Sequence, residues 1–521
     1  MMIEHRGYQK QLWGWLSYAF ASEVFVIVSL TLFLPICLEQ FARDNGYQLP
    51  GKTERCLEST RCVVRIGWMW VDTASFSLYV NSISVAMQAL TVISMGGIAD
   101  HPPHRKRLLL SFAFIGATSA ILFLLLPSSS SLWLLAAPLA MLANVGFGAS
   151  VVAMNAYLPT LARESPEVQA KLHDNDVTVD EAPLLPSDDQ PNRSRTYDEE
   201  LSRATSRISS FGIALGYAAG ITLLVIALFP VTKLRGSTFS LRLSIGLSGI
   251  WWAFFSIPAA LWLPGATTGI EQPPQGPWST RSEIVASWKR LGGMLHPREI
   301  KRLKNTFKYL AAWFLLSDGF TTITSTAILF GKTSLHMKPN ALIVVGALTP
   351  ACGIVGSVVW PMLQRRYLWS NQKILVVLVM MASAIPAYGC LGFLSVFDGD
   401  QLRFGGLTTQ GEMFALAVYF GFVYGAFQGY ARAFYAEFLP AGEEARWYGL
   451  YSITDKSSSF VGPLIVGIIS DATGNIRYAF FFLVIMIWLA VPLLLSVDVE
   501  EGRRDARKYK YGTSPGINDS T

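Results

Sequence analysis

Twelve long apolar segments constrain what this 521-residue chain can fold into. Crossing the hydrocarbon core of a bilayer takes a helix of about 20 predominantly apolar residues. The composition agrees, because 15% of the residues are charged, against roughly a quarter in soluble proteins. The sequence therefore predicts an all-α membrane protein with twelve transmembrane helices, called spans below. They lie near residues 13–36, 76–98, 108–126, 132–158, 204–229, 241–263, 306–331, 340–361, 373–396, 412–437, 448–470 and 477–496.

The basic residues predict how these spans are oriented. Short cytoplasmic loops carry an excess of Lys and Arg, and the loop after span 2 holds Arg105, Lys106 and Arg107. The loop after span 3, PSSSS, holds no basic residue. We therefore expect even-numbered connections and both termini to be cytoplasmic, and residues 37–75 to form a lumenal loop. Since basic residues cluster where membrane topology places them, the net charge of +6 predicts no nucleic-acid partner.

Two long connections interrupt the spans. Residues 163–203 are polar and lack helical periodicity, which predicts a largely disordered cytoplasmic loop. Residues 264–305 form the expected cytoplasmic linker between two halves. A stripe of four apolar residues in this linker predicts an amphipathic helix at the membrane interface: Ile284, Val285, Trp288 and Leu291. The predicted divisions are an N-terminal half, the linker, a C-terminal half and a cytoplasmic tail, at 1–263, 264–305, 306–500 and 501–521.

An internal repeat supports the division into two six-helix halves. Span 1 contains Ser22-Glu23-Val24-Phe25, and span 7 contains Ser317-Asp318-Gly319-Phe320, 295 residues later. Span 4 ends Tyr157-Leu158-Pro159, and span 10 ends Phe438-Leu439-Pro440, 281 residues later. Both matches fall in corresponding spans of the two halves, as a six-plus-six duplication requires.

The loop after span 2 reads GGIADHPPHRK. With the number of spans and the duplication, it resembles the signature of the major facilitator superfamily, where a Gly precedes an Asp and basic residues. The chain keeps Asp100, Arg105 and Lys106, but has His101 and Pro103 where the family usually has a base and a Gly. The resemblance implies the family's bundle fold and makes Asp100 and Arg105 gating candidates. The alternative is a turn that is basic only because it faces the cytoplasm.

Three longer stretches resemble a narrower family. They read GWLSYAFASEVFVIVSLTLFLPICLEQFARDNG, NAYLPTLARE and WYGLYSITDKSSSFVGPLIVGIISDATGNIRYAFFFL. These are similar to the autophagy-related protein twenty-two family of fungal vacuolar amino-acid effluxers. The resemblance implies a vacuolar membrane transporter, not an enzyme, that releases neutral amino acids such as leucine, isoleucine and tyrosine after autophagic degradation. The alternative is a membrane receptor or sensor that keeps the transporter fold but does not transport.

Two acids stand inside apolar spans, Glu23 in span 1 and Asp318 in span 7. Ionisable residues within a span are functional candidates, because placing them in the bilayer is costly. In the superfamily that the chain resembles, spans 1, 4, 7 and 10 line the central path. We therefore predict that Glu23 and Asp318 contact the substrate or carry a proton. The alternative is that each acid hydrogen-bonds to neighbouring helices or pairs with an Arg.

Span 10 supplies a cation, Arg432, with Gln428 and Tyr435 nearby. An Arg fork binds a carboxylate through two hydrogen bonds. Arg432 is therefore a candidate to hold the substrate carboxylate while Glu23 or Asp318 receives the ammonium group. The competing interpretation pairs Arg432 permanently with Asp318 as a bridge or gate.

Three further features carry expectations. In span 11, Asp455 and Lys456 form a charged pair that we interpret as a lock between spans. Cys56 and Cys62 share the lumenal loop and are either a disulfide or two free thiols, because five intervening residues permit closure in an oxidising compartment. Asp180, Leu184 and Leu185 resemble an acidic dileucine signal read by a cytoplasmic sorting adaptor. No metal or cofactor constellation stands out.

Glycines in spans 5 and 10 repeat every four residues. They are Gly212, Gly216 and Gly220 in span 5, and Gly421, Gly425 and Gly429 in span 10. This spacing places small residues on one face of a helix, where the backbone of a neighbouring helix can approach closely. Such close contacts would let the two halves rock in alternating access. The alternative is static packing.

Overall fold

The computed structural model of the chain describes residues 2–48, 53–56, 62–100, 102–128, 131–170, 190–234, 237–265, 280–335, 337, 339–394, 405–440, 443–459, 461–473 and 475–512. Within these residues, eleven helices are long and apolar enough to cross a membrane. The remaining predicted span, span 11 at 448–470, is divided into the helices Glu444–Ser458 and Val461–Thr473. The chain therefore has the predicted all-α membrane fold, to which a three-stranded sheet is added.

Contacts divide the chain into two compact units. Unit N comprises Gln9–Asn155 and Leu215–Trp288, and unit C comprises Met1–Tyr8, Ala156–Ala214 and Lys289–Thr521. The start of span 5 thus packs with residues from the second half of the sequence. The predicted boundary at the linker stays a prediction.

The first six spans are built from the following helices. Span 1 is Met2–Val24, a π-helical Phe25–Phe33 and Leu34–Asp44; span 2 is Thr73–Asp100; and span 3 is Pro102–Leu122. Span 4 is Ala136–Asn155 and Leu158–Arg163, span 5 is Gln190–Lys233, and span 6 is Thr238–Phe255 and Ile257–Trp262. Within unit N, span 3 packs against spans 4 and 6.

Aromatic side chains fill the centre of unit N. Trp252 of span 6 is fully buried and stacks on Phe25 of span 1, with ring centroids 5.3 Å apart. Its indole also lies over Gly116 of span 3, at a position that a larger residue would occupy. The glycine is therefore needed for spans 3 and 6 to approach this closely.

Span 1 changes from α-helix to π-helix after Val24, one residue beyond Glu23. Throughout Phe25–Phe33 the backbone is wider than an α-helix, and the Leu34 N–H donates to the Ser29 carbonyl, five residues earlier. Pro35 explains the change, because a proline inside an α-helix lacks an N–H and its ring clashes with the carbonyl four residues before it. Widening the preceding turns relieves that clash.

A small antiparallel sheet joins spans 1 and 2. The turn between its second and third strands is Gly67-Trp68, and Gly67 has a φ of +61°, as the first position of a type II′ hairpin requires. Cys56 and Cys62 form a disulfide with their Cα atoms 5.7 Å apart. The strands are β1 Tyr47–Gln48, β2 Cys62–Ile66 and β3 Met69–Asp72.

The last six spans follow the linker. Spans 7 to 10 are Lys304–Thr333, Pro339–Tyr367, Asn371–Leu391 and Gln410–Ala436, and span 12 is Ala479–Leu495. Span 10 packs closely on span 8, because Gly421 and Gly425 lie directly against the backbone of Thr349 and Gly353. Three further helices do not span: Thr280–Met294, Pro297–Arg302 and the C-terminal helix Val499–Gly512.

The prediction that residues 163–203 are largely disordered is wrong for part of this segment. Residues 190–203 are helical and begin the 44-residue helix Gln190–Lys233. Arg203 pairs with Glu200 at 2.7 Å and with Glu199 at 3.5 Å within this helix. An apolar periodicity is missing because this part of the helix contacts polar partners rather than an apolar core. Residues 171–189 lie outside the described residues, and so do Asp180, Leu184 and Leu185.

The linker contains the helix Thr280–Met294. Val285 and Trp288 are exposed on it, as an interfacial stripe would require. Trp288 also donates its indole N–H to the Ser94 hydroxyl of span 2, at 3.1 Å. This bond attaches the helix to unit N.

A buried ion pair fastens the C-terminal helix to unit C. Arg503 donates from Nη2 and Nε to the Glu437 carboxylate at 2.5 and 3.1 Å. The same carboxylate accepts from the Ser202 hydroxyl at 2.6 Å and from the Asn371 amide at 2.7 Å. Burial by itself lowers the pKa of Arg503, but the Glu437 charge outweighs burial and raises this pKa above its usual value. Arg503 therefore stays charged.

We predict that Arg503→Met destabilises unit C, because it leaves the Glu437 carboxylate buried without its cation. Breaking a buried pair in this way costs roughly 3–5 kcal/mol. The matched control is Arg507→Met, one turn later on the same helix. Arg507 pairs with Asp198, but its side chain is 56% exposed, so this pair is worth at most about 1 kcal/mol. Thermal unfolding of the purified protein compares the two. Equal losses of stability would contradict the prediction.

Candidate functional site

Glu23 lies at the point where span 1 becomes π-helical. Its side chain is half-buried in unit N and packs directly on Gly216 of span 5, where a Cβ would overlap the Glu23 Cγ. One turn further along, Gly220 faces Ile27 of span 1 in the same way. The glycine repeat in span 5 therefore makes room for the side chains of span 1.

Asp318 of span 7 is buried in unit C, beside the start of the helix Val461–Thr473. Its carboxylate accepts from the Gly462 backbone N–H at 3.0 Å and from the Thr322 hydroxyl at 3.3 Å. Gly462 is the second residue of Val461–Thr473, so its N–H has no partner within that helix. Asp318 thus satisfies a free donor that is created where span 11 is interrupted.

Pro463 accounts for that interruption. A helix that continued from Ser458 would bring the proline ring against the Ser459 carbonyl and leave that carbonyl without an N–H partner. In the first turn of a new helix the missing N–H costs nothing. The Gly-Pro pair is the sequence signal for this break.

A second contact joins spans 7 and 11. The Ser317 hydroxyl donates to the Asp455 carboxylate, and the Lys456 ammonium lies 3.2 Å from the same carboxylate. Asp455 therefore links span 7 to span 11, and the role of Asp455 and Lys456 as a lock between spans stays a prediction. Together with Asp318, Asp455 gives this helix pair two carboxylate contacts, which involve the adjacent residues Ser317 and Asp318 on span 7.

Arg432 lies half-buried on span 10. Its backbone carbonyl accepts from the Tyr448 hydroxyl of span 11 at 3.5 Å. The positive charge of its guanidinium interacts electrostatically with the side chains of Tyr448 and Tyr451. Gln428, one turn before Arg432, donates to the Tyr424 hydroxyl at 2.6 Å. The predicted pairing of Arg432 with Asp318 stays a prediction.

Tyr435 occupies a different kind of position. It is fully buried, its hydroxyl donates to the Trp447 carbonyl at 2.8 Å, and its ring stacks on Tyr451 with centroids 4.9 Å apart. A second ring, that of Tyr309 on span 7, stacks at 5.8 Å. This placement favours a packing role over the predicted contact with substrate.

At the start of the span 3 helix, Arg105 is buried and its Nε donates to the Ala99 carbonyl at 3.1 Å. Lys106 donates to the Leu263 carbonyl of span 6 at 2.6 Å. Both cations thus satisfy carbonyls at the ends of helices in unit N, where positive charge is favourable. Asp100 is the last residue of the span 2 helix.

The predicted cluster draws on both units. Glu23 belongs to unit N, whereas Asp318, Gln428 and Arg432 belong to unit C, so their convergence stays a prediction. Sequence reasoning missed the Gly462 partner of Asp318, because the repeat with span 1 drew attention to the acid and not to the break in span 11. No group of three or more His, Cys, Asp or Glu among the described residues is placed to hold a metal ion.

Comparisons with known proteins give consistent findings. The family profile described as "Vacuole effluxer Atg22 like" matches residues 7–507. The chain is 41% identical to Autophagy-related protein 22 of Cryptococcus neoformans var. neoformans serotype D, covering 95% of this chain and 96% of that protein. It is 38% identical to Autophagy-related protein 22-1 of Neosartorya fischeri, covering 98% and 95%. Its fold is similar to that of the major facilitator superfamily transporter FucP, solved in the outward conformation, with a TM-score of 0.58, 13% identity and coverage of 94% and 99%.

We predict that Gly216→Ala destabilises unit N more than Gly220→Ala. The new methyl at 216 meets the Cγ and Cβ of Glu23, close to the backbone, whereas that at 220 meets the terminal Cδ1 of Ile27 first. Overpacking of this kind costs roughly 1–3 kcal/mol, and the gain in helix propensity is the same at both positions. Thermal unfolding of the purified variants measures the difference.

A double variant tests the physical cause. If the clash with Glu23 is responsible, Glu23→Ala should restore most of the stability lost in Gly216→Ala, and should leave Gly220→Ala unimproved. Additive losses at 23 and 216 would show that the two side chains do not interact in this way.

Proposed function

The chain belongs to the vacuole effluxer Atg22-like family, and on that premise we propose that it releases neutral amino acids from the vacuole into the cytosol by alternating access. The family and the major-facilitator fold support a multi-pass transporter of the vacuolar membrane. The proposal adds the substrate class, which includes leucine, isoleucine and tyrosine, and the residues that recognise it.

Charged side chains within the spans are the observation that carries this proposal. Glu23, Asp318 and Arg432 each lie in a helix that is otherwise apolar or uncharged around them. Charges at such depth are expensive and are retained where they act on a substrate, an ion or a proton. An amino acid presents one cation and one anion, which one acid and Arg432 can bind, and the second acid is then available to carry a proton.

The proposed roles follow from the chemistry of each group. Arg432 holds the substrate carboxylate through its planar fork, and Glu23 or Asp318 receives the ammonium group or carries a proton. The Gly462 N–H can donate either to a charged Asp318 carboxylate or to the carbonyl oxygen of the neutral acid. Its contact with Asp318 therefore survives a change in protonation, which suits a residue that exchanges protons.

We predict that Glu23→Gln reduces amino-acid transport at least tenfold while folding and location persist, because it preserves volume but removes the titratable charge. Arg432→Lys should also reduce transport, since a point charge does not reproduce the fork. Uptake of labelled leucine and tyrosine by proteoliposomes, measured across a pH series, provides the test. Asp318→Asn keeps an acceptor for Gly462 and so separates the charge of Asp318 from its capping role.

The matched control for Glu23→Gln is Glu39→Gln on the same span, where the carboxylate is partly exposed and pairs with Arg43 at 2.9 Å. This variant should transport at the parental rate. Parental rates for both Glu23→Gln and Arg432→Lys at every pH would make the charged residues structural. Leucine binding without transport by the parental protein would instead favour a receptor or sensor.

The proposed orientation places the 163–203 loop and both termini in the cytosol. Protease added to intact vacuoles should therefore cut within 163–203, while the sheet between spans 1 and 2 stays intact until detergent opens the membrane. The two sites act as controls for each other, because the proposed orientation places them on opposite sides of the vacuolar membrane. Cutting of the sheet with protection of 163–203 would reverse the orientation.

A further inference from the structure

The hairpin between β2 and β3 carries exposed apolar side chains at its tip. Trp68, in the turn, is 88% exposed, and Met69 beside it is 52% exposed. At the base of the same hairpin, Val63 and Val64 are buried, although successive side chains point to opposite faces of a strand. The base is therefore packed on both faces, whereas the described part of the protein does not cover the tip.

The sheet is attached to the ends of spans 1 and 2 by short ordered segments. β3 ends at Asp72, and the helix of span 2 begins at the next residue, Thr73. β1 begins at Tyr47, three residues after span 1 ends at Asp44. The disulfide closes the base of the sheet at Cys62, the first residue of β2. The tip is therefore held close to the point where both spans leave the bilayer.

Exposed residues on span 2 indicate the level of the bilayer. Tyr79, Ile83, Met87 and Leu90 recur every three or four residues and are all exposed, so they form one lipid-facing side of the helix. Tyr79, the first of them, is of a residue type that is enriched at the membrane–water interface. The rise from Thr73 to Tyr79 is about 9 Å at 1.5 Å per residue, and the headgroup region is about 5–8 Å thick on each side of the hydrocarbon. The sheet therefore begins close to the outer edge of the headgroups.

The hairpin is long enough to return to the headgroups. β3 has four residues, which extend over about 13 Å at roughly 3.3 Å per residue. A hairpin that leans towards the bilayer therefore brings Trp68 and Met69 to headgroup depth. There the amphipathic indole is favourably placed, and both side chains lose contact between their apolar surface and water.

The tip also carries a cation. Arg65 of β2 is exposed and lies directly opposite Trp70 of β3 in the sheet. Its Nε donates to the Gly67 carbonyl at 3.1 Å, and its Nη groups have no partner among the residues that the structure describes. A guanidinium can bind phosphate oxygens through two parallel hydrogen bonds. Aromatic, thioether and guanidinium groups together match a phospholipid, which presents a phosphate next to an apolar acyl region.

We infer that this hairpin tip is a lipid anchor, in which Trp68 and Met69 enter the headgroup region of the leaflet on the side of the sheet and Arg65 binds a phospholipid phosphate. The proposed orientation makes this the lumenal leaflet. The inference depends neither on that orientation nor on the transported substrate. The anchor acts on spans 1 and 2, because interfacial residues set the tilt of the helices to which they are joined.

A fluorescent probe at the tip tests the anchor in the full-length protein in phosphatidylcholine nanodiscs. Because the chain has 15 tryptophans, an environment-sensitive probe on Met69→Cys replaces intrinsic fluorescence and leaves Trp68 in place. The matched control carries the same probe on Glu54→Cys, which is exposed and belongs to the same sheet region, since the Gln48 N–H of β1 donates to the Glu54 carbonyl at 2.9 Å. The free cysteines are first replaced by Ala: Cys37, Cys352 and Cys390.

We expect a nitroxide on the lipid headgroup to quench the probe at 69 and not the probe at 54. Aqueous iodide should quench the probe at 69 about threefold less, because interfacial apolar groups lie about 5–10 Å within the headgroup and acyl boundary. Trp68→Glu in the Met69→Cys protein should abolish both differences, since a carboxylate loses hydration on entering the interface. Trp68→Phe should retain them.

Equal iodide quenching at both positions, without quenching by the lipid nitroxide, overturns the anchor and leaves the tip in water. Protection of the probe at 69 from both quenchers also overturns it, because the tip is then covered by protein, either a second copy or another partner. Unchanged lipid quenching in Trp68→Glu overturns it as well, since the probe and not the hairpin would then make the lipid contact. Each outcome is independent of whether the protein transports amino acids.

Discussion

The structure depends on one constraint: a polar group inside a membrane span must find its partner within the protein. Asp318 shows how this works, because its carboxylate is held by a backbone N–H that only an interrupted helix leaves free. The interruption at Pro463 and the acid on span 7 therefore explain each other. A continuous span 11 would leave Asp318 without that donor, and a leucine at 318 would leave the start of the new helix unsatisfied.

A proline also alters a helix in unit N, but there it widens the helix instead of interrupting it. Pro35 is accommodated by widening span 1 into a π-helix rather than by breaking it. The wider turns begin at Phe25, two residues after Glu23. Gly216 completes the arrangement, because only a residue without a side chain leaves space for Glu23 against span 5. These departures from regular helix occur beside the residues that carry the proposed chemistry.

Beyond the ends of the spans, a charged hydrogen-bond network connects distant parts of the chain. The Glu437 carboxylate gathers Arg503, Ser202 and Asn371 from three separate parts of the chain. This network explains why the beginning of span 5 packs in unit C and why its helix is polar. A polar sequence without apolar periodicity indicates disorder when it is considered alone. Such a sequence can still form a helix when polar side chains from distant parts of the chain bind to it.

The sequence by itself determined the fold class, the number of spans and the family, because membrane burial requires long apolar segments that can be counted without knowing their neighbours. It also identified Glu23, Asp318 and Arg432, since a charge in such a segment is visible locally. Tertiary structure alone decided that Asp318 contacts Gly462, that Tyr435 is buried against Tyr451, and that 190–203 is helical. Each of these depends on contacts between residues far apart in the chain, and no local pattern of apolar and polar residues encodes which distant partner will supply a hydrogen bond.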